Sequence, residues 1–265
     1  MTPLKNKKSF RSLIFFALIA VAGLLLALCL PTSDADPAGP TASDILQSPE
    51  PDLPPSPQDS YTGPDVPELE PVDDEFFSDA AFMGNSLVDG FKLFSGLTVC
   101  DYYTATSMTV LGATGNSCIT LDDGTSGTMM DGLTQKPYGK IYILLGINEI
   151  GGDVDTFGQM YADMLDTIIA AQPECDIYVM GLTPVSYEKS SSSDTFNMER
   201  IALYNEKLRS IAAEKRCYYL DLISALSGED GYLPASETTD GVHFTAGTYA
   251  KWLDYLRTHY IEPET

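Results

Sequence analysis

From about residue 78 onward, short apolar runs that end in glycine alternate with stretches whose apolar residues recur every three or four positions. Ala80–Met83 runs into Gly84, Lys140–Leu145 into Gly146, and Asp176–Met180 into Gly181. Between the last two, Phe157, Met160, Tyr161, Met164, Leu165, Ile168 and Ile169 mark one face of a helix that stops near Pro173. Ile201, Tyr204, Leu208, Ile211 and Ala212 mark a second helix, Cys217–Leu222 a last strand, and Thr245–Tyr260 a last helix with Thr245 as its N-cap. Thr98–Tyr103 and Met108–Leu111 are weaker strand candidates. Strands that are apolar throughout, separated by amphipathic helices, predict a parallel sheet covered on both faces. In such a sheet ligands bind beyond the carboxyl ends of the strands. That rim is therefore where chemistry is expected.

The chain of 265 residues cannot all belong to this domain. Lys5, Lys7, Lys8 and Arg11 precede an uncharged apolar run, Leu13 to Leu30, close to the roughly 17–25 residues a membrane-spanning helix needs. The flanking cations predict a cytoplasmic N-terminus. An uncleaved signal-anchor is the preferred reading, against a cleaved signal peptide or a lipid anchor at Cys29, and each of the three exports the rest of the chain. Residues 31–75 are rich in Pro, Asp, Ser and Glu and predict a disordered linker. This gives three parts: 1–30, a signal-anchor; 31–75, the linker; 76–265, one domain large enough for a substantial core.

The formal charge of −23 argues against nucleic acid or an anionic membrane surface as a charge-driven partner. Five cysteines show no Cys-x-x-Cys spacing, so zinc and redox sites are not expected. Cys175 and Cys217 read as buried apolar residues, and a Cys100–Cys118 disulfide would suit an exported protein. Asp122-Asp123 and Asp153 with Asp155 lack an EF-hand spacing and read as solvated loops. No metal is expected.

Two histidines are present, His243 and His259. His259 falls at the end of the last helix, where a cation suits the dipole. His243 follows Asp240 by three residues, in Asp240-Gly241-Val242-His243-Phe244. Histidine is the side chain whose ordinary pKa suits a general base near pH 7. Ser86, in Gly84-Asn85-Ser86-Leu87, sits where a strand turns into a helix, so its hydroxyl is exposed at the rim with helix N–H groups beside it. His243 can take its proton and Asp240 can orient the imidazole. The oxyanion then needs fixed donors, for which the Ser86 N–H, the Asn148 amide, and a glycine N–H in Leu111–Asn116 are candidates. Taken singly, each of these short stretches is an ordinary turn. It is their order, each beyond a strand or at the entry to the last helix, that carries the reading.

These segments resemble the SGNH (GDSL-type) hydrolases from Phe82 to Tyr249. The resemblance implies a flavodoxin-like three-layer α/β/α sandwich with a mostly parallel sheet, no cofactor, and ester hydrolysis by way of an acyl-serine. Ser86 matches the nucleophile, Asp240 and His243 the acid and base, and Asn148 the oxyanion asparagine. Gly115, the second glycine of Gly112-Ala113-Thr114-Gly115, matches the oxyanion glycine better than Gly112. The chain departs from the pattern at Asn85 and Glu149, where the family usually carries aspartate. Asn85 and Tyr187 are candidate substrate contacts. Tyr187 follows the loop Thr183–Val185, and the serines 190–193 with Asp194 read as a mobile loop beside the site. The expected substrate is a short-chain, preferably acetyl, ester on a small molecule, a carbohydrate or a cell-wall polymer, outside the membrane and tethered to it by the N-terminal helix. An O-acyltransferase and a non-catalytic surface binding module are the rival readings.

Overall fold

The computed structural model describes residues 61–262. The apolar run 13–30 and residues 31–60 of the expected linker lie outside the described residues. Among the described residues, no helix is long and apolar enough to cross a membrane.

Five parallel strands make the sheet: β1 (Ala80–Gly84), β2 (Asp101–Thr104), β5 (Lys140–Leu144), β6 (Asp176–Met180) and β7 (Tyr218–Leu220), in the order β2-β1-β5-β6-β7. A separate antiparallel pair, β3 (Ile119–Thr120) and β4 (Ser126–Gly127), forms a small hairpin. Helices α1 (Ser86–Phe94), α7 (Leu222–Leu226) and α8 (Ala246–Thr258) group together, as do α2 (Val110–Gly115), α3 (Met129–Leu133), α4 (Val154–Ala171) and α6 (Met198–Glu214). The short α5 (Tyr187–Ser192) follows β6. The chain moves from β1 outward to β2, then returns past β1 to β5. The direction of winding therefore reverses between β1 and β5, and the crevice beyond their carboxyl ends is where such a sheet places a ligand.

The strand residues face both layers, so the runs are apolar without alternation; β1 is buried at every position. On one face, register aligns Tyr102, Phe82, Tyr142, Tyr178 and Tyr218 across all five strands. Their rings follow one another at 5.5, 4.6, 4.7 and 5.3 Å between centroids. Phe91 of α1 stacks on Phe82, and Trp252 of α8 packs on Phe91. The tyrosines at 102 and 218 are thus part of a core ladder. Tyr103 and Tyr219 are buried too, whereas Tyr187 is exposed.

Several expectations change. Residues 61–75 are not a free tether: the Tyr219 N–H donates to Pro64 O, Asp65 pairs with Arg209, and Leu69 and Val72 N–H groups donate to Thr258 and Arg257 carbonyls. This segment covers the outer edge of β7, whose backbone groups would otherwise face solvent. The described part of the expected linker, residues 61–75, is therefore bonded to the domain. Met108–Leu111 is not a strand, because the Thr109 hydroxyl accepts the Gly112 N–H and starts α2 there. Cys217–Leu222 shortens to β7, since Asp221 caps α7. The serine-rich stretch is not a free loop: its first part is α5, and Ser193 Oγ accepts the Thr195 and Phe196 N–H groups. Cys175 and Cys217 are buried; Cys100 and Cys118 are free thiols. Asp123 closes a turn on Thr125, and Asp153 caps α4. His259 caps the end of α8, with its ring stacked on Tyr255.

Candidate active site

Ser86 opens α1 directly after β1. Gly84 makes the tight exit feasible: a Cβ there would lie 2.4 Å from Val88 Cγ2 and 2.6 Å from Leu144 O. No larger residue would let α1 start so close to β5. Asn85 is the N-cap, and its Oδ1 accepts the Leu87 N–H at 3.0 Å. It is fully buried, and its Nδ2 has no hydrogen-bond partner. Asn85 therefore lies beneath the rim rather than facing solvent. Its acceptor oxygen preserves the cap, and its amide nitrogen is an orphan that an aspartate would not have.

His243 reaches Ser86 from 157 residues away: Ser86 Oγ and His243 Nε2 are 3.0 Å apart. His243 Nδ1 lies 2.8 Å from Asp240 Oδ2. The other carboxylate oxygen of Asp240 accepts the Val242 and His243 N–H groups at 2.9 and 2.8 Å. Burial raises the Asp240 pKa. The bonds from the His243 N–H and ring, the bond from the Val242 N–H and the charge of His243 outweigh that, and it falls to about 2. An ionised Asp240 is acceptor-only. The ring proton therefore belongs on Nδ1, and Nε2 is left to accept the Ser86 proton.

The turn that carries the pair is closed on itself. Gly241 N–H donates to Thr238 Oγ1, and Thr238 Oγ1 donates to His243 O. Gly241 has φ +87, and a Cβ there would sit 2.7 Å from Ser186 Oγ and from Lys189 Cβ. The Ser186 N–H in turn donates to Gly241 O at 2.9 Å. The first turn of α5 is thus packed directly on the histidine loop. Asp240 and His243 side chains are 53% and 45% exposed, so the site is open and shallow.

On the other side of the crevice, Asn148 follows β5 and is exposed. Its Nδ2 donates to Met108 O at 2.8 Å, which fixes the amide plane and leaves its second hydrogen free. Glu149 Oε1 accepts the Val110 N–H, its carbonyl accepts the Tyr204 hydroxyl at 2.7 Å, and its Oε2 is buried without a partner. Burial raises the Glu149 pKa against the bond from Val110. The Ala105 N–H donates to Gly84 O at 3.3 Å. The loop from Ala105 to Thr109 is therefore tied to both β1 and Asn148, and it exposes Thr106 and Ser107, the latter at φ +58.

Gly115, by contrast, is the last residue of α2, about 7 Å of helical rise beyond Val110. It is exposed, and among the described residues no hydrogen bond ties it to the rim. The Gly112 N–H is occupied by the Thr109 cap. Gly115 thus lies at the opposite end of α2 from the loop that follows β2.

A serine hydrogen-bonded to a histidine that is oriented by a carboxylate, on the rim of a parallel sheet, is an arrangement able to activate a serine as a nucleophile. The model of the GDSL-like lipase/acylhydrolase family matches residues 82–251, and the chain belongs to that family of ester-hydrolysing enzymes. Solved structures share the fold. A protein from Streptococcus pneumonia, described as a candidate platelet activating factor, is 20% identical, with 67% of this chain and 81% of that one covered at a TM-score of 0.54. A GDSL-like lipase from Bacteroides thetaiotaomicron is 15% identical, with 71% and 89% covered at 0.51. No curated protein matches the chain.

Proposed function

We propose that the chain is an exported serine esterase that removes short acyl groups, acetyl above all, from carbohydrate or cell-wall polymers. The continuous Ser86–His243–Asp240 hydrogen-bond chain carries this reading. Ser86 Oγ attacks the ester carbonyl as its proton passes to His243 Nε2, and Asp240 stabilises the imidazolium. The oxyanion takes hydrogen bonds from the Ser86 N–H at the start of α1, from the free amide hydrogen of Asn148, and from an N–H of the Ala105–Thr109 loop in place of Gly115. The imidazolium gives its proton to the departing alcohol oxygen. Water, deprotonated by the same Nε2, then releases the acid from the serine. The exposure of Asp240 and His243 favours an ester that projects from a large molecule over a fatty acyl chain needing an enclosed channel. Export and tethering rest on the N-terminal cations and apolar run alone.

The test compares the full chain with its Ser86→Ala variant on a chromogenic acetyl ester, on both sides of the ordinary histidine pKa of about 6.5. The expected result is turnover that is absent in the variant and falls in acid in the parent. Equal background rates in two folded proteins would sink the esterase reading.

A further inference from the structure

We propose that Tyr187 and Tyr232 form a subsite that seats a pyranose ring beside His243, so that the enzyme recognises the sugar and not only the acyl group. This rests on the esterase reading and names the part of the substrate that the triad does not touch. Tyr187 is the first residue of α5 and is 63% exposed. Among the described residues, Phe94 is the other exposed large apolar aromatic, and its ring is stacked on Tyr249 of α8. Tyr187 instead meets the half-buried Tyr232 edge to face, with centroids 5.3 Å apart and planes at 88°.

Backbone hydrogen bonds tie the segments that carry both rings to the catalytic turn. The Leu233 N–H donates to Val185 O at 3.0 Å, which brings the Tyr232 loop to the start of α5. The Ser186 N–H donates to Gly241 O, two residues before His243, and the closeness of Ser186 and Lys189 to Gly241 leaves no gap between α5 and that turn. An edge-to-face pair restrains each ring, so little freedom is lost when a ligand arrives. A pyranose presents a face of C–H groups that fits an aromatic surface and a rim of hydroxyls that stay in water. An exposed tyrosine on the helix packed against the histidine loop matches that pattern. An alkyl chain would leave most of its length in solvent here.

Two measurements on the full chain test the subsite. The first is the ratio of kcat/KM on O-acetylated xylohexaose to kcat/KM on a chromogenic acetyl ester. Tyr187→Ala is expected to lower this ratio about tenfold, mainly through KM for the oligosaccharide, the scale of one lost aromatic contact, and Tyr187→Trp to keep it. The second is binding of xylohexaose to Ser86→Ala by titration calorimetry, with and without Tyr187→Ala. Binding lost only when Tyr187 is removed would support the subsite even if the parent hydrolysed no ester, in which case the esterase reading alone would fail. An unchanged ratio with active enzyme, or hexaose binding indifferent to Tyr187, would overturn the subsite and leave the esterase standing.

Discussion

On the histidine side of the rim, Asp240 and His243 are three residues apart, and Thr238 closes the turn around them within five. On the asparagine side, Asn148 is held by a carbonyl 40 residues away, and Glu149 by groups 39 and 55 residues away. Arg200 adds bonds from α6 to the Ile150 and Gly152 carbonyls. One half of the site is a local turn whose hydrogen bonds are mostly its own, with Ser186 and Lys189 packed on it and Ser86 bonded to it. The other half exists only once α2, β5 and α6 have packed. A base must be oriented, which a turn can do. An oxyanion hole must be spaced, and that takes several elements held apart at fixed distances.

The sharpest way to break the local half is Asp240→Asn. Asparagine can offer its NH2 to Nδ1, which moves the ring proton to Nε2 and removes the base while the turn stays intact. We expect kcat to fall by about 10⁴ with little change in KM. The same variant has a signed pH signature. The Asp240 pKa is depressed to about 2 in the folded protein, against an ordinary value of about 3.9. Its contribution to stability is then complete above the ordinary value and lost as pH falls through about 2. Parent and variant melting temperatures should differ at neutral pH and converge in acid. A gap that is constant across that window would mean that the carboxylate charge does not hold the turn.

Asn148→Ala tests the assembled half and should cost less, about 10²–10³ in kcat, because the serine, base and remaining donors survive. KM should move little, since the lost bond forms only as charge develops on oxygen. A variant that raises KM with kcat intact would make Asn148 a ground-state contact and would leave the oxyanion to the backbone alone.

The same contrast explains what could be read from the sequence. Ser86, Asp240 and His243 could be paired from the sequence because each lies at a strand exit or in a turn, and Asp240 and His243 are only three residues apart. The parallel sheet was legible because strands buried on both faces leave unbroken apolar runs. The place of Gly115 on α2 was not legible, because a Gly-x-x-Gly spacing cannot say where a helix starts. The Thr109 cap decides that, and it places Gly115 at the far end. That Tyr102 and Tyr218 join a core ladder was not legible, because only register aligns them with Phe82, Tyr142 and Tyr178. Residues 61–75 have the composition of a disordered linker, yet they lie on the domain because β7 leaves its outer edge unpaired, and a Pro/Asp-rich segment can satisfy that edge with backbone alone. The role of Glu149 had no sequence signal at all, since its partners Val110 and Tyr204 are set by the packing of two helices.

Glu149 is the smallest and most informative test of the assembled half. Its Oε1 joins the post-β5 turn to the first N–H of α2, and so holds the Ala105–Thr109 loop against Asn148. Glu149→Ala should detach that loop and lower kcat by roughly tenfold, with a stability loss of about 1–3 kcal/mol for the orphaned Val110 N–H. Glu149→Gln should behave differently. It keeps an acceptor for Val110 and removes a buried charge whose Oε2 has no partner. Because burial raises the Glu149 pKa, its favourable contribution is present below the ordinary carboxylate value and lost as pH rises through the folded value. The neutral glutamine keeps that contribution at pH 7. Glu149→Gln should therefore melt at or above the parent at neutral pH, lose the advantage in acid, and retain most of kcat. If instead it loses as much kcat as the alanine variant while staying folded, the tie to Val110 is not what matters, and the carboxylate charge acts directly on the reaction.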